Sequence, residues 1–300
     1  MDDLEAPESE RRPLLALAYR LLGTVADAED AVQETYARWY RMSPAERAAI
    51  VNPAAWLTRV AGRVCLDVLG SARARRETYV GPWLPEPVPH GSAFAGPPHP
   101  DPLDRVTLHE SVGLALLVVL ESLTPAERVA FVLHDVFGVP FAEIAETVGR
   151  TPAAVRQLAS QGRRRVRAGR SGVADRAQHD AVVRAFLGAA ATGEFDRLVR
   201  LLDPDVVLRS DAGGKKSAAL RPVVGADHVA RFVLGIARRN PEAEVALVPA
   251  PDGLALLATL DGDADAVFSF VVRGDRIAEV FAVRNPDKLT QWPGSSRSLA

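Results

Sequence analysis

The stretch "PFAEIAETVGRTPAAVRQLASQ", residues 140–161, reads as two helices around a turn. Ala145 is small where the helices would cross. Gly149, four residues later, falls where the chain must turn and favours a positive φ. Val155 faces back toward Phe141, Ile144, Val148 and Leu158. Thr151 is placed to cap the second helix and Pro152 to occupy its first turn. This is the grammar of a helix-turn-helix. The second helix runs on into "QGRRRVRAGR", so residues 149–170 hold seven arginines and no acidic residue. Its N-terminal part, with Thr151, Ala153, Arg156, Gln157 and Ser160, is suited to base edges in a major groove. Arg163, Arg164, Arg165 and Arg167 are suited to phosphates. A solvated basic helix packed on its neighbour is the plainer alternative. Gly162 sits oddly inside this helix, where it costs about 1 kcal/mol relative to Ala.

The rest of the chain does not share this basicity. Residues 105–170 carry 9 basic against 6 acidic residues, while the whole chain of 300 residues has Lys+Arg 36 and Asp+Glu 38, a formal net charge of −2. Positive charge confined to one segment points to a local anion-binding surface rather than a coated polycation. A hydrophobic content of 48% can bury a substantial core, and the length suggests two or three domains. The single Cys65 excludes an intrachain disulfide and any cysteine-built zinc site. The six histidines show no ligand spacing, so neither metal nor cofactor is expected. The charged N-terminus and an apolar run of only "VGLALLVVL" lead to the expectation of a soluble, cytoplasmic chain with no membrane partner.

Upstream, helical periodicity fills residues 1–80. Leu14, Leu15, Ala18, Tyr19 and Leu22 form one apolar stripe ended by Gly23, and a second helix begins near Asp27. That helix carries Asp27, Asp30 and Glu34 beside Gln33 as an exposed acidic stripe, although Asp27 and Asp30 also suit a helix N-terminus for electrostatic reasons alone. "NPAAW" at 52–56 opens a further helix, on which Trp56, Arg59 and Arg63 fall within reach of one surface. Aromatic residues interleaved with arginine suit single-stranded nucleic acid, whereas a lone Trp is more often core. Residues 81–104 are rich in Pro and Gly and read as a linker; helices resume near Leu103. After Gly172, helices around 176–190, 194–202 and 227–239 accompany strands that end in an antiparallel meander.

In these segments the chain resembles an extracytoplasmic-function (ECF) sigma factor. "AYRLLGTVADAEDAVQETYARW" looks like the polymerase-binding part of such factors, "NPAAWLTRVAGRVCLDVLGSARARRE" like their minus-ten-reading helix, and "SLTPAERVAFVLHDVFGVPFAEIAETVGRTPAAVRQLASQGRRRVRA" like their minus-thirty-five-reading domain. The resemblance implies sigma region 2 at 1–80, a linker at 81–104 and region 4 at 105–172. It implies core RNA polymerase as partner, through the clamp helices of the beta-prime subunit and the flap of the beta subunit. It also implies promoter DNA, as minus-thirty-five duplex and minus-ten non-template strand. Asp27, Asp30, Gln33 and Glu34 would then dock on the clamp, and Asn52 with Arg63 would take an extruded base. Promoter boxes about 70 Å apart are within reach of linker residues 82–104, which extend to about 75–83 Å.

Residues 175–290 resemble a SnoaL-like domain of the NTF2-like superfamily, helices packed on a curved sheet around a cone, followed by a tail at 291–300. The expected fold is therefore multidomain: two all-α helical domains and an α+β domain. A sigma-J-like subgroup of ECF factors carries this extension, with motifs that appear here as "WLPEP" at 83–87, "DAGGK" at 211–215 and "NPDKL" at 285–289. The resemblance places a regulatory interface at Trp83, Glu86, Asp211, Gly213, Gly214, Lys215, Asn285, Pro286, Asp287 and Lys288. Catalysis by Asp205, Asp211 and His228 is the enzyme reading, which lone carboxylates and one histidine do not support; the chain is expected not to be an enzyme. A small ligand in the cone stays open. The rival reading is a stand-alone helix-turn-helix regulator with a ligand-sensing domain, which has no use for the acidic stripe or the Trp56/Arg63 helix.

Overall fold

A computed structural model describes residues 8–95 and 113–293, and within these the side chains of 72–77 are left aside. The later half of the Pro/Gly-rich segment, the helix expected near Leu103, the arginines of 73–76 and the end of the tail lie outside this description. The chain divides into two bodies. One is drawn from 1–77, 91–112 and 116–169, the other from 78–90, 113–115 and 170–300.

In the first body, helix α1 (Arg11–Leu22) is buried at every position from Leu14 to Leu22, which makes it the axis of the bundle. Gly23, at φ 81°, ends it and returns its N–H to the Tyr19 carbonyl. Thr24 then caps α2 (Val25–Arg41) by accepting from the Asp27 N–H, so the helix starts two residues earlier than its acidic residues suggested. Ala28, Ala31, Val32, Thr35 and Trp39 form its buried stripe. A short α3 (Pro44–Ala48) carries a full capping box between Ser43 and Glu46. Asn52 opens α4 (Pro53–Glu77), its side-chain oxygen accepting from the Ala55 N–H at 3.0 Å.

The helix-turn-helix lies in the same body. It comprises α5 (Leu114–Glu121), α6 (Pro125–Phe131), a π-helical turn over Val132–Val136, α7 (Phe141–Val148) and α8 (Pro152–Arg170). Gly149 turns the chain at φ 68°, and Thr151 accepts from the Ala154 N–H. Ile144, Ala145, Val155 and Ala159 are buried where the helices cross. Gly162 is now accounted for: a Cβ there would lie 2.9 Å from the Phe131 Cβ, so close packing on α6 requires glycine. The helix-propensity cost of about 1 kcal/mol is smaller than the clash.

Region-2-like and region-4-like helices were expected as separate modules on a long tether. Here they form one body. α4 packs on α6 and α7, and Gly62 lets Leu133 approach to 3.0 Å of where its Cβ would be. Arg128 of α6, nearly fully buried, donates to the Leu21 carbonyl at 2.9 Å and to Glu121 at 2.6 Å. Burial lowers its pKa to about 10. Arg20 is held in the same way, by the Ala16 and Ala95 carbonyls, and burial lowers its pKa to about 10, with the nearby Tyr19 opposing.

The second body is α+β. Helices α9 (Arg176–Thr192), α10 (Phe195–Leu201) and α11 (Ala226–Arg239) accompany strands β1 (Leu202–Asp211), β2 (Val223–Val224), β3 (Glu244–Ala250), β4 (Gly253–Leu260), β5 (Asp263–Arg273) and β6 (Arg276–Val283). The strands form a sheet of order β2-β1-β6-β5-β4-β3. β3 to β6 make the expected antiparallel meander, while β1 pairs in parallel with β6. One face, with Leu208, Leu256, Phe270 and Val280, packs on Val183, Phe186, Leu198, Val229 and Leu234 of the helices. Helices on one face of a curved sheet are what the SnoaL-like resemblance implied. The other face, with Leu257, Val267, Phe281 and Val283, is buried as well.

The segment read as a linker is not a plain spacer. Residues 78–90 belong to this second body, and Leu84, Glu86 and Val88 are buried in it.

Candidate functional site

Three surfaces gather the residues singled out in the sequence. The first is the acidic face of α2. Asp30 and Gln33 are exposed, as a docking surface requires. Asp27 instead serves the helix start, its carboxylate accepting from the Thr24 hydroxyl at 2.7 Å. Glu34 pairs with Arg38 at 2.9 Å and with Arg41 at 3.5 Å. The hydrogen bond from Arg38 is the main reason its carboxyl sits below the ordinary carboxylate range. The stripe is therefore less negative than its composition implies.

The second surface couples α4 to the helix-turn-helix. Trp56 is half-buried, edge-on to the buried Trp39 with ring centroids 5.3 Å apart. It leans on the core while keeping one part of its ring in solvent. Arg63 donates to the Thr147 carbonyl at 2.8 Å, in the last turn of α7. Arg59 meets Glu143 at 3.6 Å and Glu146 at 3.5 Å on the same helix. The negative end of the α7 dipole and two carboxylates thus face the two arginines of α4. Asn52 stays exposed beside Val51, whose side chain is 100% exposed at the loop tip.

On α8 itself, Thr151, Ala153, Arg156, Gln157 and Ser160 form one exposed face. The arginines divide. Arg163 pairs with Asp135, and Arg165 pairs with the buried Glu127 at 2.8 Å, so both tie α8 to α6 and the turn after it. Arg164 and Arg167 point to solvent. Of the four arginines expected on phosphates, two are therefore engaged within the protein.

The third surface is a buried clasp in the second body. Asp211, 0% exposed, ends β1 and accepts from the Tyr79 hydroxyl, the Leu84 N–H at 2.8 Å, the Gly213 N–H at 3.1 Å and the Lys288 ammonium at 2.7 Å. Lys288 also donates to the Leu84 carbonyl at 2.6 Å, and its Nζ lies 4.2 Å from the centre of the Trp83 ring. Asn285 donates to the Tyr79 oxygen at 2.9 Å. Burial first, then the bond to Asp211, pushes the Tyr79 hydroxyl well above its ordinary pKa. Gly213, at φ 58°, is required by space as well as conformation, since a Cβ would lie 2.5 Å from the Asn285 amide. Gly214, at φ 72°, packs under Val80. Lys215 pairs with Asp287 outside the clasp, and Pro286 starts the 3-10 turn Pro286–Lys288 that carries Asp287. Glu86 is buried, with Thr290 at 3.4 Å, and the Trp292 indole donates to the Pro87 carbonyl at 2.8 Å.

For catalysis the geometry offers little support. Asp211 is saturated by donors, and Asp205 and His228 are exposed, His228 resting on the Val224 carbonyl at 2.9 Å. Between helices and sheet, buried apolar side chains pack on one another, with Phe186 and Phe270 in edge contact at 5.5 Å. Among the described residues, no group of three or more His, Cys, Asp or Glu could hold a metal, and no helix is long and apolar enough to cross a membrane.

Sigma-70 region 2 matches residues 8–76 and Sigma-70 region 4 matches residues 113–166. Over 97% of the chain and 94% of the relative, the sequence is 44% identical to the ECF RNA polymerase sigma factor SigJ of Mycobacterium tuberculosis. The chain belongs to the ECF sigma factors. It is also 36% identical to a probable ECF sigma factor, SigI, of the same organism, over 94% of this chain and 92% of that one. The crystal structure of M. tuberculosis SigJ superposes with a TM-score of 0.74, at 41% identity, covering 97% of this chain and all of that one. As an ECF sigma factor, the chain directs promoter-specific initiation by core RNA polymerase; the stand-alone regulator is not favoured. Several contacts of this sigma factor escaped the sequence reading: Glu143, Glu146 and Thr147 opposite α4, Arg128 opposite α1, and Tyr79 in the clasp. Each is an ordinary residue in its own helix or loop, and only the tertiary partner gives it meaning.

Proposed function

We propose that the packed first body is the resting form of this sigma factor and that it opens on core polymerase. One observation carries the reading. The α4 arginines that would hold minus-ten DNA instead hold Glu143, Glu146 and the Thr147 carbonyl of α7. α7 offers them what a phosphate backbone offers, so promoter and α7 compete for one surface. In the open form, Asp30, Gln33 and Glu34 dock on the beta-prime clamp helices, while region 4 reaches the beta flap. The exposed face of α8 reads the minus-thirty-five duplex through Thr151, Ala153, Arg156, Gln157 and Ser160, with Arg164 and Arg167 on phosphates. Asn52, Val51 and Trp56 border the place for an unpaired minus-ten base.

The C-terminal domain regulates this opening in cis by holding the linker. Residues 78–90, if extended, supply about 43–47 Å of reach, and the clasp around Asp211 withholds it. The clasp on residues 78–90, and the saturation of Asp211 by donors, favour this mechanical role over catalysis. Domain limits of 8–77, 116–169 and 170–293, with 78–90 joined to the last, suit this reading better than a free linker at 81–104. Co-elution with core RNA polymerase, for wild type and for Asp30→Lys/Glu34→Lys, tests the docking surface. The wild type should bind and the variant should not; equal binding would remove the α2 stripe from the interface.

A further inference from the structure

The face of α8 just described does not present its arginines alike. Arg163 and Arg165 are held by carboxylates, Arg163 through its Nε and Arg165 through one terminal nitrogen. Arg156 is held by an aromatic ring: its guanidinium carbon lies 5.6 Å from the centre of the Phe141 ring. Such a contact uses no hydrogen-bond acceptor, so the guanidinium N–H groups of the exposed Arg156 stay available. Phe141 is itself supported. The His134 imidazole stacks on it with centroids 3.8 Å apart and planes 28° apart. His134 sits in the π-helical turn Val132–Val136, and its Nδ1 lies 3.0 Å from the Val139 carbonyl, which fixes the ring. The wider turn shifts the helical phase at that point, a device that recurs at functional sites, and here it carries His134 to the first residue of α7.

We propose that Phe141, backed by His134, is a positioning residue for Arg156. It holds the guanidinium so that paired N–H groups face O6 and N7 of one guanine in the upstream promoter box. This rests on α8 being the duplex-reading helix. Arg has more rotamers than any contact to one base can tolerate, and a flat support removes most of them before DNA arrives. A phosphate contact would need no such support, because phosphate accepts from many directions. The two also differ in readout: a base contact changes preference at one position, whereas a phosphate contact changes affinity for all sequences and the salt slope by about one.

The test uses the full chain in holoenzyme with core polymerase. The probe is a promoter duplex randomised through its upstream box, with sequencing of the bound fraction and a salt titration. Arg156→Ala should abolish a guanine preference at one position, a loss of about 5- to 150-fold. Phe141→Leu should weaken the same preference by about 2- to 5-fold, with Phe141→Tyr restoring it. Both should leave the salt slope unchanged. The proposal is overturned if Phe141→Leu leaves that preference intact or lowers every position equally. It is overturned also if Arg156→Ala lowers the salt slope by about one while preferences persist. Failure of the underlying reading looks different: wild-type holoenzyme would initiate, yet show no upstream preference sensitive to Arg156, Gln157 or Ser160.

Discussion

The ion pairs at Arg59 and the ion pair at Lys288 stand at opposite ends of burial. Arg59 is 33% exposed and Glu146 75%, with nitrogen and oxygen 3.5 Å apart. Lys288 and Asp211 are 7% and 0% exposed at 2.7 Å, with further donors on the carboxylate from Tyr79, Leu84 and Gly213. Exposed pairs contribute about 0–1 kcal/mol and are screened by salt. Breaking a buried pair from one side costs about 3–5 kcal/mol, because the other charge is stranded. The Arg59 pairs of the α4–α7 contact therefore suit a latch open to competition by a polyanion. Opening of the first body must also release the buried Arg128 from the Leu21 carbonyl. The linker clasp suits a fixture that thermal motion leaves closed. Regulation through the clasp then needs something stronger than promoter DNA to move it.

The largest effect should come from Asp211→Ala. Lys288 stays buried without its partner, so the second body should lose about 3–5 kcal/mol, seen as a lower melting temperature with protease cleavage appearing within 78–90. Asp211→Leu with Lys288→Met should recover part of the loss, since neither charge is then stranded. Equal damage in the single and double variants would show that shape, not charge, closes the clasp.

Gly162→Ala comes next. Its Cβ would meet Phe131 at 2.9 Å, and overpacking costs about 1–3 kcal/mol. Chemical denaturation of a 1–172 fragment against full chain would show which body responds. A neutral or stabilising result would mean that α6 and α8 have slack, and that the first body is looser than its buried Arg128 suggests.

How far the sequence reaches follows the same division. Gly149, Thr151 and the Ile144–Val155 crossing were legible because local rules govern them: a left-handed turn, a cap, a helical period. The β3–β6 meander was legible for the same reason. Gly162 looked like a defect because its cause, Phe131, lies 31 positions away in the chain. "WLPEP" has the composition of a spacer, yet its Leu84 amide and carbonyl both bond to the C-terminal domain. Prolines prevent regular structure without preventing burial, and composition cannot tell the two apart. Arg163 and Arg165 read as phosphate ligands because Asp135 and Glu127 lie 28 and 38 positions before them, across a turn that local rules do not register.

Glu143→Lys with Glu146→Lys should change stability by less than about 1 kcal/mol, yet repel Arg59 and weaken the latch. Binding to core polymerase should tighten by up to about 5-fold at low salt, with the gain fading as ionic strength rises. Weaker binding would place α7 itself in the polymerase interface.

The smallest effect concerns acid. Burial raises the Asp265 carboxyl, but hydrogen bonds from Lys216 and Arg284 outweigh it, so its pKa falls below the ordinary value. A depressed folded pKa gives stability that is present above the unfolded pKa, about 3.9, and is lost as pH falls through the folded value. Asp265→Asn should therefore lower melting temperature at pH 7 and converge with wild type as pH falls through the depressed folded pKa. Parallel curves across that range would remove Asp265 from the acid response.

Opening of the first body can be followed directly by energy transfer. Ser71→Cys with Ala168→Cys places a donor and an acceptor dye on α4 and α8, and the native Cys65 is buried with its thiol pKa pushed up, so it should stay unlabelled. Energy transfer should be high in the free factor and should fall on adding core polymerase, toward the separation of about 70 Å between promoter boxes. Unchanged transfer in a holoenzyme that initiates from a promoter would mean that the first body stays packed on polymerase and does not open.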